Sequence, residues 1–521
     1  MLGLELVVVL GAAVLAGNVA GRRLRIAPPV LLLAGGVLLG FVPALRRVHL
    51  PPEAVLLLFL PALLFWESLT TSLREIRSNL RSIVLLGTLL VFATAAIVAS
   101  TAHALGLPWG PAWVLGAALA PTDATAVGVL ARSLPRRDVT VLRTESLIND
   151  GTALVIYGLA VGVTAGNEHF DAPRVGALLL LAYGGGTAAG LATAWLGVRV
   201  RRRLDEPLLA NVTMLLTPFA AFLLAESIHA SGVLSVVVCG LTVSQSGPRA
   251  GRAATRRQAE DFWSLAAFLV NGALFVLVGL EAQTAVRGLT SADVTDALLL
   301  VAAVSGVLIG ARFTWLFTAP YLVRLIDRRP QQRLRRSGYR VRVVSGFSGF
   351  RGAVSLAAAL AVPHTVASGR PFPDRDILVF VTFGVIVVAL SQALVLPAVV
   401  RWARLPHDTG ARDEHRLAQV TAIEEALDAL PDVAADLGTD PELADRLRRE
   451  YEHRLELLRS GDPDDPALHR EEQATALRLA LIARKRATVL KLRDERRIDD
   501  LVLREVQAAL DIEEIRLERR R

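Results

Sequence analysis

Seven ionisable side chains stand inside segments that are otherwise apolar: Glu67, Asp123, Glu145, Asp150, Glu226, Arg312 and Arg351. A charge at the centre of a bilayer costs about 2.5–3.5 kcal/mol on insertion scales, so such residues mark ion sites, proton relays or buried pairs. Three short stretches gather them with other oxygen donors. The first runs from Gly116 through Pro121, Thr122 and Asp123 to Thr125. Pro121 removes a backbone donor and disfavours helix at Ala120. An interrupted helix leaves carbonyls free beside a carboxylate, the hard oxygen environment a small cation needs. The plainer alternative is a proline kink with Asp123 capping the next half-helix, a costly place for a cap. The second stretch holds Glu145, Ser146, Asn149, Asp150 and Thr152. Glu145 to Asn149 and Ser146 to Asp150 are i,i+4 pairs, so on a helix the four share one face and Leu147 and Ile148 turn away. Hydrogen bonding between helices is the alternative role, but two acids with an amide and a hydroxyl exceed what packing requires. The third stretch holds Gly346, Ser348, Gly349, Arg351, Gly352 and Ser355. Its three glycines permit a second break and close approach of a neighbour. Arg351 needs an anionic partner. Glu145 and Asp123 are the candidates; Glu145 is the expected one, which leaves Asp123 and Asp150 for an ion.

The elements that carry these residues are membrane spans. The chain has 521 residues and is 53% hydrophobic, and the excess falls in runs of roughly 17–28 residues before residue 403, where about 20 apolar residues cross a bilayer as helix. Spans are expected near 3–20, 28–45, 52–71, 82–104, 111–131, 141–165, 174–198, 206–228, 231–246, 262–282, 293–323, 343–364 and 376–402, thirteen in all. The first is read as a retained span, because Met1–Glu5 lacks the basic segment of a secretory signal. Arginines divide unevenly between alternate loops. One set holds Arg22, Arg23 and Arg25; Arg74, Arg77 and Arg81; Arg132, Arg136, Arg137 and Arg143; Arg199 and Arg201–Arg203; Arg249, Arg252, Arg256 and Arg257; and the run Arg324–Arg342. The other holds Arg46, Arg47, Arg174, Arg287, Arg370 and Arg375, a ratio of roughly 26 to 6 that puts the N-terminus outside and the C-terminal tail in the cytoplasm.

The net charge of +8 would suggest nucleic acid in a soluble protein. Here the cations cluster in loops between apolar runs, and the membrane surface and its lipids account for them; nucleic acid is not an expected partner. The one cysteine, Cys239 in an apolar stretch, excludes a disulfide framework and a cysteine zinc cluster.

These residues resemble the monovalent cation:proton antiporter superfamily, in its NhaP and eukaryotic sodium/hydrogen exchanger branch. The carriers are Thr122 and Asp123; Glu145, Ser146, Asn149 and Asp150; and the run Phe350–Ser355. Leu60–Phe65 and the loop Ser72–Arg77 are also family-like. The resemblance implies an all-α polytopic fold with inverted repeats and broken crossing helices, and a helical cytoplasmic C-terminal domain. It implies a core of spans four to six and eleven to thirteen, roughly 82–165 and 293–402, moving against a dimerisation part, roughly 1–71 and 174–282, in a homodimer. Asp150 would be the carboxylate that takes either cation or proton. Asp123, Ser146 and Thr122 would complete the Na+ shell, and Glu145 and Arg351 would form a buried pair. Asn149, where electrogenic relatives carry Asp, implies one-for-one exchange, and Arg312 resembles a second family arginine. Na+ (with Li+) and H+ would be the substrates, with no cofactor, in a bacterial inner membrane. One departure is visible: Trp66 stands where the family often has an acid, which is displaced here to Glu67.

Residues 404–521 are dense in Arg, Glu and Asp. Amphipathic helices are expected there, broken at Leu430–Pro431, Gly438–Pro441 and Gly461–Pro463. The tail shows no glycine-rich nucleotide motif and no metal-ligand spacing. Two other readings of the whole chain are K+/H+ exchange on the same scaffold and an intramembrane enzyme using Asp123 and Asp150 as a dyad. Against the second, the acids stand among Asn, Ser and a backbone break, a cation shell rather than a paired-acid site.

Overall fold

The computed structural model describes residues 2–24, 26–43, 52–71, 73–123, 136–166, 172–246, 253–287, 291–326, 338–366, 368–405, 410–460 and 466–518. The chain divides into two compact units, Met1–His407 and Asp408–Arg521. In the first unit the helices are α1 (Leu2–Leu24), α2 (Pro28–Leu39), α3 (Pro52–Thr70), α4 (Leu73–Ala104), α5 (Trp109–Leu119), α6 (Arg136–Thr164) and α7 (Ala172–Arg201). They continue with α8 (Pro207–Ser227), α9 (Gly232–Ser246), α10 (Ala253–Arg287), α11 (Ser291–Ile326), α12 (Tyr339–Phe347), α13 (Ala353–Leu360) and α14 (Arg375–Ala403). No strand forms among the described residues; two isolated bridges join Asp123 to Phe350 and Thr365 to Pro371.

Local chemistry sets many of these boundaries. Proline opens α2 and α8 at the first helical turn, where its missing N–H costs nothing. In α1, Glu5 lies in the first turn and Arg22 and Arg23 in the last, matching the helix dipole. Several helices outrun their apolar segments: α4, α6 and α10 begin before the expected starts at 82, 141 and 262, because charged turns continue the helix past the hydrocarbon. The twelfth expected segment is two short helices, α12 and α13, on either side of a break. Eight described helices are long and apolar enough to cross a membrane, and 28–39, 57–70 and 232–246 are shorter apolar helices. Of the loop arginines, Arg25, Arg46, Arg47, Arg132, Arg249, Arg252 and most of 324–342 lie outside the described residues.

Packing sorts the first unit into bundles. The largest buried cluster joins Val91, Ala95 and Val98 of α4 and Leu115 and Leu119 of α5 to Ile156 of α6, Val304 and Leu308 of α11 and Val381 of α14. A second joins Leu60 and Phe65 of α3 to Phe222 of α8, Val236 of α9 and Trp263 of α10. α2 and α10 cross so closely that a Cβ on Gly36 would lie 2.1 Å from the Val276 carbonyl, and one on Gly279 2.2 Å from that of Leu33. Small residues permit this contact between membrane helices. Outward, Val7, Leu15, Leu180, Trp195, Leu216 and Leu223 are exposed, an apolar surface suited to lipid rather than water.

The second unit consists of α15 (Gly410–Asp436), α16 (Pro441–Ser460), α17 (Pro466–Asp494) and α18 (Asp500–Glu518). The break expected at Pro431 does not occur; α15 runs through that residue, which is exposed, so water can satisfy the carbonyl it leaves. The break at 438–440 does occur, with Gly438 at φ 61° and Asp440 accepting the Glu442 N–H at 3.0 Å. The break expected at Gly461–Pro463 lies outside the described residues. α17 and α18 bury Ile482, Leu510 and Leu517 together, and Arg486 bridges to Asp511 and Glu514 at 2.5 and 2.6 Å.

Candidate functional site

The first break follows from Pro121. α5 stops at Leu119, and beyond it the Asp123 N–H donates to the Phe350 carbonyl at 2.8 Å. Phe350 lies in the second break, between α12 and α13, and its buried ring packs with Val139 and Leu142 of α6 and Leu396 of α14. The two interruptions therefore cross and are tied main chain to main chain. Residues 124–131 of the fifth expected span, Thr125 included, lie outside the described residues. Gly352 is required at the crossing. A Cβ there would lie 1.7 Å from Asp123 Oδ2 and 2.7 Å from Asp123 Cβ. The carboxylate thus rests over the first turn of α13, where the N–H groups of a helix N-terminus favour negative charge.

α6 brings its polar face to the same point. Ser146 Oγ donates to the Thr122 carbonyl at 2.6 Å. The Asn149 amide lies 3.3 Å from Thr122 Oγ1. On its other side are the carbonyls of Glu145 and Gly87, at 3.1 and 3.2 Å. The orientation that satisfies every group has the NH2 donating to both carbonyls and the amide oxygen accepting from the Thr122 hydroxyl. Thr122, Ser146, Asn149 and Asp150 are all buried. A cavity of about 40 Å3 is lined by Thr122, Asp123, Ser146 and Asp150. That volume holds about one water or one small ion.

Three polar residues that the sequence did not assign to the site line the same cavity. Glu67 of α3 reaches it despite the intervening Trp66. Asn271 of α10 and Ser355 of α13 line it too. A lone amide in the apolar run 262–282 was the available signal for Asn271. Among the described residues no three His, Cys, Asp or Glu side chains converge as a multidentate metal chelate.

The arginines are placed differently from expectation. Glu145 pairs with Arg312 of α11, not with Arg351. Arg351 instead donates from Nε to the Leu119 carbonyl at 3.3 Å and from Nη1 to the Gly349 carbonyl at 2.7 Å. The physical reason is the breaks themselves. They leave carbonyls without helical partners, and a five-donor guanidinium lying between them is drawn to that demand. Arg312, on an intact helix, is left to meet the carboxylate of α6.

A second, larger cavity of about 930 Å3 lies between α5 and α6 on one side and α7, α8 and α9 on the other. Its wall is mostly apolar, with Trp109, Trp113 and Tyr157. Glu226, His229 and Ser231 add polar groups, and Leu60 is common to both cavities.

A sequence model described as sodium/hydrogen exchanger, transmembrane, matches residues 9–402. The chain belongs to the sodium/hydrogen exchanger family. It is 47% identical over 521 residues to an uncharacterised Na+/H+ exchanger of Mycobacterium tuberculosis, an alignment covering 99% of this chain and 96% of the relative. It is 31% identical over 405 residues to a sodium, potassium, lithium and rubidium/H+ antiporter of Bacillus pumilus, covering 75% of this chain and 60% of that one. Among solved structures, the sodium proton antiporter MjNhaP1 of Methanocaldococcus jannaschii matches with a TM-score of 0.58 at 19% identity, covering 77% of this chain and 99% of that one. The likeness to MjNhaP1 shows the fold. Family membership makes this a multi-pass membrane protein and a cation/proton antiporter, a transporter rather than an enzyme.

Proposed function

We propose that the protein exchanges Na+ (and Li+) for H+ one for one across the bacterial cytoplasmic membrane, with cation and proton competing for Asp150. The observation that carries this is the single small cavity that unites Asp150 with Asp123, Ser146 and Thr122 where two broken helices cross. Asp150 can be neutralised by a proton or by a monovalent cation, and a cavity of about 40 Å3 has no room for a hydrated ion. Oxygens of Asp123, Ser146 and Thr122 would replace the lost water. Competition alone yields antiport when the empty, charged site crosses poorly. Asn149 supports electroneutral stoichiometry: its NH2 faces two carbonyls, where the corresponding oxygen of a second carboxylate would find acceptors only.

The two packing clusters support a core of roughly 82–165 and 293–402 that moves against a part formed by roughly 1–71 and 174–282; the protein would work as a homodimer, each protomer crossing the membrane thirteen times. The cavity wall draws on both, with Asn271 and Glu67 on one side and Asp150 and Asp123 on the other. The N-terminus would lie outside and residues 404–521 in the cytoplasm. In that orientation the 930 Å3 cavity beside Trp109 and Glu226 is the approach from the outer face. The transported ions are the substrates, and no cofactor enters the reaction. K+ is the second reading, favoured by the name of the Bacillus pumilus relative, which includes potassium.

In proteoliposomes carrying a pH-sensitive dye, added Na+ should drive dye dequenching, and Asp150→Asn should abolish it while the protein still elutes as a folded oligomer. Normal exchange in that variant would remove Asp150 from the mechanism. Separate additions of Li+ and K+ decide the cation.

A further inference from the structure

Ser355 is 1% exposed, and its Oγ has no hydrogen-bond partner among the described residues. It lines the cavity that holds Asp123 and Asp150. Ser305 and Thr382 are, like Ser355, buried without a partner among the described residues, but of these three only Ser355 lines the cavity. Many hydroxyls of the membrane unit return to the carbonyl four residues back: Ser68 to Leu64, Thr152 to Ile148, Thr193 to Ala189 and Ser348 to Val344. That bond is the ordinary way to satisfy a serine or threonine in an apolar helix. Ser355 cannot make it in the same way. It stands in the first turn of α13, so the residues three and four before it are Gly352 and Arg351, inside the break. Gly352 is extended, at φ −123° and ψ −153°, so the helical carbonyl such a serine would use is not presented. A buried hydroxyl left without a partner is costly. In a cavity sized for one water or one small ion, the occupant is the partner that removes that cost.

We propose that Ser355 Oγ is a neutral ligand of the transported cation, in addition to the oxygens of Thr122, Asp123, Ser146 and Asp150, and that it sets preference among monovalent cations. This rests on the reading of the cavity as the cation site. A hydroxyl is a hard oxygen with lone pairs to offer, and being uncharged it adds coordination without changing the charge that is carried. Ser355 comes from the second broken helix, whereas the other neutral ligands come from the first broken segment and α6. It therefore closes the shell from a third direction. A small ion gains most from such closure, because it has the tightest water shell to replace.

The test is transport in proteoliposomes by the full-length protein, wild type beside Ser355→Ala and Ser355→Thr, over a concentration series of Li+, Na+ and K+. Loss of one ligand to a charge should raise KM by about tenfold for Li+ and Na+. The K+ value should move less, and kcat should stay within about twofold. Ser355→Thr keeps the hydroxyl and should restore the wild-type cation order. The same shift should appear without transport, as about tenfold more Na+ needed for equal thermal stabilisation in detergent. Should Ser355→Ala not reconstitute, Ser355→Cys, of similar size with a softer atom, is measured in its place with the same expected shift. Unchanged KM for all three cations, or equal changes in the Ala and Thr variants, overturns the assignment. Wild-type protein that exchanges none of the cations overturns the cavity reading itself, so the two failures are distinct.

Discussion

The two broken segments meet at one point but are broken by different means. The first is interrupted by Pro121 and brings a carboxylate, Asp123, and the carbonyl of Thr122. The second is loosened by Gly346, Gly349 and Gly352 and brings a guanidinium, Arg351, and room for a neighbour. Proline removes a donor and so exposes carbonyls; glycine removes a side chain and so admits one from elsewhere. The comparison teaches that the site needs both kinds of break. Oxygen comes from one segment, and the space and cationic support that let it be buried come from the other.

Each side of this division can be broken separately. The largest effect is expected from Gly352→Ala, whose new Cβ would fall 1.7 Å from Asp123 Oδ2. Na+-driven dye dequenching should disappear. Gly349→Ala sharpens the point, since its Cβ meets nothing nearer than 3.4 Å and exchange should persist. If both variants behave alike, the close approach at Gly352 is not what matters.

Next in size is Arg312→Gln, which strands the Glu145 carboxylate. Losing one partner of a buried pair costs several kcal/mol; with Glu145 about one-sixth exposed (17%), about 3 kcal/mol is expected, read as a fall in Tm. Glu145→Gln combined with Arg312→Gln should recover more than half of it, and strict additivity would show that the two are not coupled.

Arg351→Gln comes third. It withdraws donors from the Leu119 and Gly349 carbonyls, at about 1–3 kcal/mol, and leaves the Glu145–Arg312 pair intact. A drop in stability that vanishes when Glu145 is also replaced by Gln would restore the pairing expected from the sequence. The smallest effect belongs to Arg486→Ala in the tail. Its ion pairs with Asp511 and Glu514 are surface pairs, which contribute little. Exchange should be unchanged, and the Tm shift should be too small to resolve.

Much of this arrangement was legible in the sequence, and the gaps have physical causes. Helix positions follow from apolar runs, and the breaks from Pro121 and the three glycines, because these are local effects. The common face of Glu145, Ser146, Asn149 and Asp150 follows from helical spacing. Which arginine meets Glu145 did not follow. Arg312 and Arg351 have the same chemistry, and only the three-dimensional crossing shows that the freed carbonyls claim Arg351. Trp66 shifts Glu67 by one position from the family's acid, about 100° around a helix, yet the structure brings Glu67 to the cavity wall. Asn271 and Ser355 are single polar residues in apolar surroundings, and sequence alone does not say which cavity such a residue faces. Pro431 shows the reverse error. Its type signals a break, but at an exposed turn of a long helix water removes most of the penalty.

The hydrogen bond from Arg351 to Leu119 spans 232 residues of chain, and the Asp123–Phe350 tie is comparably distant. During synthesis Glu67 of α3, Asp123 beyond the end of α5, and Glu145 and Asp150 of α6 enter the membrane long before the residues that complete their surroundings. A contact so far apart in sequence is slow to form, so the cavity is among the last parts of the molecule to assemble. A chain cut short ahead of residue 350 would hold Glu67, Asp123, Glu145 and Asp150 without Phe350, Arg351 and Gly352, which complete the crossing. Completion of the crossing is thus a point at which a finished transporter differs chemically from an unfinished one, before any ion has moved.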